Sequence, residues 1–174
     1  DVTIKQVANV KFTINGNGHT YSGTMTVEGT GYAGAQGQAL TIQNVNFVVD
    51  GYGIYAYKKN NYARNLTIVG CTFTGVVDDV LDYGIALRHV YNVVVKDTTG
   101  SDLFDLVYGG GTVTGFTAEN VTVTDSKNGI WLSYVAGTAT FKNVTTEVES
   151  AGVGIFNGAS GKVVIAADCH IDCV

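Results

Sequence analysis

The feature that most constrains this chain is a repeat that returns every 23–27 residues. Corner segments recur at Asn44-Val45-Asn46-Phe47, Gly70-Cys71-Thr72-Phe73, Asp97-Thr98-Thr99-Gly100, Asn120-Val121-Thr122-Val123, Asn143-Val144-Thr145-Thr146 and Asp168-Cys169-His170-Ile171. Their first positions lie 26, 27, 23, 23 and 25 residues apart. An earlier copy, Asn9-Val10-Lys11-Phe12, precedes Asn44 by 35 residues, and the Gly-rich stretch from Gly29 to Gly37 accounts for the excess. Each copy follows a short β-prone run such as Leu40-Thr41-Ile42, Leu66-Thr67-Ile68 or Val93-Val94-Val95. Most copies precede a Gly-Ile signature, at Gly53-Ile54, Gly84-Ile85, Gly129-Ile130 and Gly154-Ile155, with Asp105-Leu106 as the variant.

Three short strands joined by small or polar corners cannot bury a core alone, so successive units must stack on one another. No stretch has helical period. The repeat therefore predicts an all-β fold, a right-handed single-stranded parallel β-helix or solenoid of about seven coils. It forms one domain over residues 1–174, either a processed mature chain or a segment of a longer one, since it begins at Asp1 without Met. Period-2 alternation assigns the faces. Val10, Val45, Cys71, Thr98, Val121, Val144 and Cys169 form one inward column, and Ile54, Ile85, Leu106, Ile130 and Ile155 another. The Asn or Asp at each corner suits a left-handed residue that bonds to its turn or to its equivalents above and below.

Composition agrees. There are 23 Gly and no Pro, as expected where nearly every backbone N–H serves a ladder. A formal charge of −5 and scattered Lys and Arg, apart from Lys58, Lys59 and Arg64, argue against nucleic acid as a partner. No run approaches the roughly 20 apolar residues of a membrane span. The three cysteines have no metal-ligand spacing; Cys169 and Cys173 are close enough in sequence to form a local disulfide, which would suit an oxidising compartment.

Phrases such as Leu40-Thr41-Ile42-Gln43-Asn44-Val45-Asn46-Phe47 and Asn65-Leu66-Thr67-Ile68-Val69-Gly70-Cys71-Thr72-Phe73 resemble the parallel β-helix repeat superfamily of pectate lyases, polygalacturonases and phage tailspikes. They are most similar to β-helix modules of secreted or surface proteins of bacteria. The resemblance spans essentially residues 2–172. It implies the fold and an extracellular or cell-surface location, while one fold hosts many activities.

Alternation places Tyr55, Ala86, Val107, Trp131 and Phe156 on the outside of the third strand, with Tyr57, Arg88 and Ser133 two residues further along. Coils stack about 4.8 Å apart, so exposed aromatics here would line up for sugar rings or for another protein's surface. Tyr55, Tyr57, Arg88, Trp131 and Phe156 are the candidate binding residues for glycan or protein. An acidic group precedes the same strand: Asp78, Asp79 and Asp82 in one coil, Asp102 and Asp105 in the next. Carboxylates on successive coils suit Ca²⁺, the one cofactor the sequence suggests. With Arg88 they also suit a polysaccharide lyase, or an acid–base pair for glycoside hydrolysis; the plain alternative is solvated loop carboxylates. The Asn-Thr-Asp, Gly-His-Gly and Arg-Ile-Lys motifs of polygalacturonases are absent, and no residue is assigned as catalytic. His19, His89 and His170 face no evident nucleophile. Asn65, Asn120 and Asn143 head N-x-T sequons that the repeat generates by itself.

The terminal coils, rich in Val2, Ile4, Ile171 and Val174, show no amphipathic cap, and a bare edge invites pairing. The expected partners are a second copy stacked along the axis or a flanking domain, and glycan on the aromatic face. The expected function is a non-enzymatic extracellular rod serving as a surface, adhesive or fibre-forming element. The alternatives are a polysaccharide lyase or hydrolase and a glycan-binding module.

Overall fold

A computed structural model of the protein describes residues 1–29, 37–56, 62–76, 81–155 and 160–173. The strands form parallel ladders, each pairing with its equivalent one repeat away. The first face has rungs at Lys11–Asn15, Ala39–Gln43, Arg64–Val69, 90–96, 113–119, 136–141 and Ser160–Ile165. About six turns thus separate seven rungs, close to the number expected from the repeat. The second face begins at Thr20–Ser22, Asn46–Val49 and Thr72–Gly75, and the third at Val2–Lys5, Met25–Glu28, Tyr52–Ala56 and Tyr83–Leu87. From Asp105 to Ile155 the ladder runs unbroken for 51 residues, round the corners and through more than one coil.

The corners are possible because Asn and Asp accept the left-handed region. Asn44, Asn65, Asn92, Asp97, Asn120 and Asn143 all have φ between 46° and 56°. Their side chains then bond along the axis. Asn143 Nδ2 donates to Asn120 Oδ1 at 2.9 Å, Asn120 Nδ2 to Asp97 Oδ1 at 2.7 Å, and Asn92 Nδ2 to Asn65 Oδ1 at 3.0 Å. Gly70 takes the same corner with φ +62, where an added Cβ would lie 2.7 Å from Asn44 Oδ1.

The interior follows the predicted columns. Val45, Cys71, Thr98, Val121 and Val144 are buried. On the first face Leu40, Leu66, Val93 and Phe116 stack, beside Ile42, Ile68, Val95 and Ala118. Volume is shared across the interior as well as along it. Phe47 and Phe73 stack at 4.6 Å with their planes nearly parallel, and fill the space that Gly53 leaves open, since a Cβ there would meet the Phe73 ring at 3.0 Å. One coil later Gly100 takes the place of Phe73, and Leu106 fills the gap from the opposite face, 2.8 Å from where a Gly100 Cβ would sit.

That exchange shifts the register by one residue against the sequence expectation. Leu106 is buried, but it is Val107 that pairs with Ile85, itself the partner of Ile54, and Tyr108 that pairs with Ala86, the partner of Tyr55. Val107 is therefore an inward residue, and Tyr108 takes the outward place expected for it. A similar slip occurs further on. Gly129 faces the Gly152 carbonyl, and Gly154 lies against the indole of Trp131. Ile155 accordingly departs from the Ile130 column, with Gly152 in place of Gly154 as the partner of Gly129.

At both ends the inward columns reach solvent. Val2 is 42% exposed where its ladder partner Met25 is 5%, and Ile165 is 52% exposed where its ladder partner Phe141 is 0%. The first copy of the repeat is placed differently from the sequence expectation: Phe12 pairs with Leu40 and Tyr21 with Phe47, so Val10 precedes the first-face strand and lies outside the Val45 column.

Candidate functional site

The third face carries a line of rings across successive coils. Tyr52 and Tyr55 lie at opposite ends of one short strand, with centroids 4.8 Å apart. Tyr52 stacks on Tyr83 at 5.6 Å, and Tyr83 meets Tyr108 at 4.7 Å and Phe104 at 5.7 Å. The register explains the contact: Tyr52 pairs with Tyr83, and Tyr83 with Asp105. Asn128 continues this column, because its N–H donates to the Phe104 carbonyl at 2.8 Å as the Asp105 N–H does to that of Asp82. Continuing the ladder two and three residues places Trp131 beside Tyr108.

These groups enclose a cleft of about 310 Å³ lined by Tyr83, Phe104, Asp105, Tyr108, Asn128 and Trp131. Asp105 is only 1% exposed, and its Oδ1 accepts a 2.8 Å hydrogen bond from Asn128 Nδ2. Burial raises its carboxyl to about 7, against the opposing pull of the Asn128 amide. The cleft thus combines apolar ring faces with a carboxyl and an amide that can both accept and donate hydrogen bonds. Its size falls at the small end of ligand pockets.

The acidic group does not assemble as a metal site among the described residues. Asp82 is buried and turned to the backbone: Oδ1 accepts the Gly51 N–H at 2.6 Å and Oδ2 the Val76 N–H at 3.3 Å. It closes two corners. Asp102 is exposed in a left-handed corner, and Asp105 belongs to the aromatic cleft. Asp78 and Asp79 lie outside the described residues, as do Tyr57 and Phe156. Among the described residues no three His, Cys, Asp or Glu side chains come together to hold a metal ion.

Arg88 lines a separate cleft of about 340 Å³ with His89, Gly110, Gly111, Thr112, Ser133 and Tyr134. His89 sits in a left-handed corner, with its pKa lowered by burial and by Arg88. Of the predicted binding residues, Tyr55 and Trp131 belong to the aromatic face, while Arg88 lines the neighbouring cleft. Sequence reasoning missed Tyr52, Tyr83, Phe104, Tyr108 and Asn128. The signal for the first two was present, since Tyr52 and Tyr83 each stand immediately before a Gly-Ile pair.

Cys71 is a buried thiol whose pKa burial raises, and Cys169 is a half-buried free thiol. The Cys173 side chain, and with it the suggested local bridge, lies outside the described residues. No described helix is long and apolar enough to cross a membrane. Comparison with protein-family models, curated proteins and solved structures finds no match to the chain.

Proposed function

We propose that this chain is a non-enzymatic, extracellular β-helical rod that binds glycan on its third face, and that it belongs to the pectate-lyase-like superfamily of right-handed parallel β-helices. The observation that carries the binding reading is the ring series from Tyr55 and Tyr52 through Tyr83 to Tyr108 and Trp131, closed over Asp105 and Asn128. Sugar rings present apolar C–H faces with hydroxyls at the rim, and this cleft offers aromatic faces with polar acceptors below. The same geometry favours binding over catalysis. Hydrolysis by the two-carboxylate route needs a pair flanking one bond; among the described residues the cleft's lining holds one, Asp105, while Asp82 is engaged by two backbone N–H groups. A rigid rod, with each coil fixed by its neighbours, suits display at a surface.

Binding to immobilised neutral polysaccharides tests the reading. The unmodified chain is retained, and Trp131→Ala and Tyr108→Ala are not. Release of reducing ends or unsaturated uronides from pectin or alginate, lost on Asp105→Ala, would instead support the enzyme alternative.

A second reading, axial assembly, rests on the end coils. Val163 and Ile165 continue inward columns in which Ala139 and Phe141 are buried, yet both are exposed, as are Val2 and Val10 at the opposite end. A further coil, from a second copy or a flanking domain, would bury this surface at about 25 cal/mol per Å² and pair the open backbone edge. Electron microscopy distinguishes rods of one length from end-to-end polymers, and Ile171→Lys weakens the polymer while the central coils stay folded.

A further inference from the structure

We propose that the aromatic cleft takes a neutral or amino sugar and rejects uronate units, because among the described residues of its lining the one acidic or basic side chain is a carboxyl. This inference rests on the glycan reading and names the sugar class. The lining residues are Tyr83, Phe104, Asp105, Tyr108, Asn128 and Trp131, with no Lys, Arg or His among them. A uronate seated there would leave water with no cation among the described lining residues to receive it, and burying an unpaired carboxylate is strongly unfavourable. Above about pH 7, where Asp105 is ionised, its like charge also opposes a uronate.

The polar groups favour donors on the ligand. Asn128 Nδ2 gives one of its two hydrogens to Asp105 Oδ1 at 2.8 Å, so the pair keeps two oxygens, Asn128 Oδ1 and Asp105 Oδ2, beside one remaining amide N–H. Ring hydroxyls supply O–H donors to them, and an amino sugar adds an ammonium, which pairs with a carboxylate and lies well over aromatic faces. Arg88 lines a different cleft, so its guanidinium does not reverse this preference within the aromatic one.

The chain has a single tryptophan, and it lines the cleft, so intrinsic fluorescence reports on this site alone. The test titrates the full chain with oligosaccharides of galactose, glucosamine and galacturonate, following Trp131 emission. Saturable shifts are expected with the neutral and amino series, at affinities at least about tenfold above galacturonate, a gap of about 1.4 kcal/mol. In Asp105→Asn, confirmed folded by circular dichroism, the amino-sugar preference falls and the gap to galacturonate narrows. Galacturonate binding equal to or tighter than the others overturns the selectivity and leaves the glycan reading standing. No emission change with any of the three series overturns both. Because the ranking is measured on the unmodified chain, a variant that failed to fold would not protect the proposal.

Discussion

Two columns of aromatic rings run across the coils of this β-helix, one inside and one outside. The inner one, Phe47 on Phe73, is stacked nearly face to face and wholly buried, and its rings carry no polar atom. Where that column reaches the end coil, Phe gives way to Tyr21, set edge-on at 5.8 Å, whose hydroxyl donates to the Thr24 carbonyl at 3.3 Å. The outer one draws on two adjoining ladder positions, Tyr52 and Tyr83 in one and Tyr108 and Trp131 in the other. Its rings are stacked or tilted, and a buried carboxyl and an amide interrupt it. Both columns owe their alignment to the same ladder. The inner one spends its rings on filling volume, whereas the outer one leaves ring faces around a cleft. The comparison teaches that a solenoid repeat fixes where side chains stack, and that the choice of Phe or Tyr and Trp decides whether the stack is core or site.

The comparison breaks most sharply at Phe73. Phe73→Ala opens a void between Gly53 and Gly84, neither of which has a side chain to fill it, so a loss of about 3–5 kcal/mol is expected. Urea titration reads it directly. A loss under about 1 kcal/mol would show that the inner stack is not the core this account makes it.

The outer column predicts an opposite effect. The Asp105 carboxyl titrates at about 7 in the fold and near 3.9 when unfolded. Below about 3.9 it is protonated in both states, and the stability that goes with its proton is fully present. As pH rises towards 7 the unfolded chain ionises first, so that contribution is lost, by on the order of 4 kcal/mol in total. Asp105→Asn removes this slope: near neutral at pH 4, it stabilises the fold at pH 8. Melting curves at the two pH values check this, and a variant equally destabilised at both contradicts it.

A smaller effect is expected at the base of the outer column. Gly154→Ala would bring a Cβ to 2.6 Å from Trp131 Cε3. The indole must swing outwards, at a cost of about 1–2 kcal/mol and with an altered emission maximum. Smallest of all, Tyr52→Ala at the exposed rim should change stability by about 1 kcal/mol or less, since it forfeits ring contacts and little burial.

Most of the fold was legible because one period controls strands, corners and inward columns together. The Val45–Cys71–Thr98–Val121–Val144 column and the left-handed Asn and Asp corners are set by local residue type, and local pattern found them. The fourth coil was misaligned by one residue because Asp105-Leu106 imitates the Gly-Ile signature. The true register depends on Gly100, on another face, making room for Leu106. That is a tertiary volume exchange with no trace in alternation, and it hid Tyr108, hence the outer ring series. The acidic group misled for a related reason. Asp82 and Asp105 are near in sequence type and in space, yet one closes corners and the other lies at a cleft, a division set by which backbone N–H groups happen to face each.

The central claim, that the outer rings form a site rather than core, is tested most directly by the affinity of Trp131→Ala for a neutral oligosaccharide that the parent chain binds, measured by isothermal titration calorimetry. The account predicts at least about a tenfold loss of affinity in a variant that still unfolds cooperatively. Equal binding by variant and parent, or a parent that binds no glycan, would contradict it.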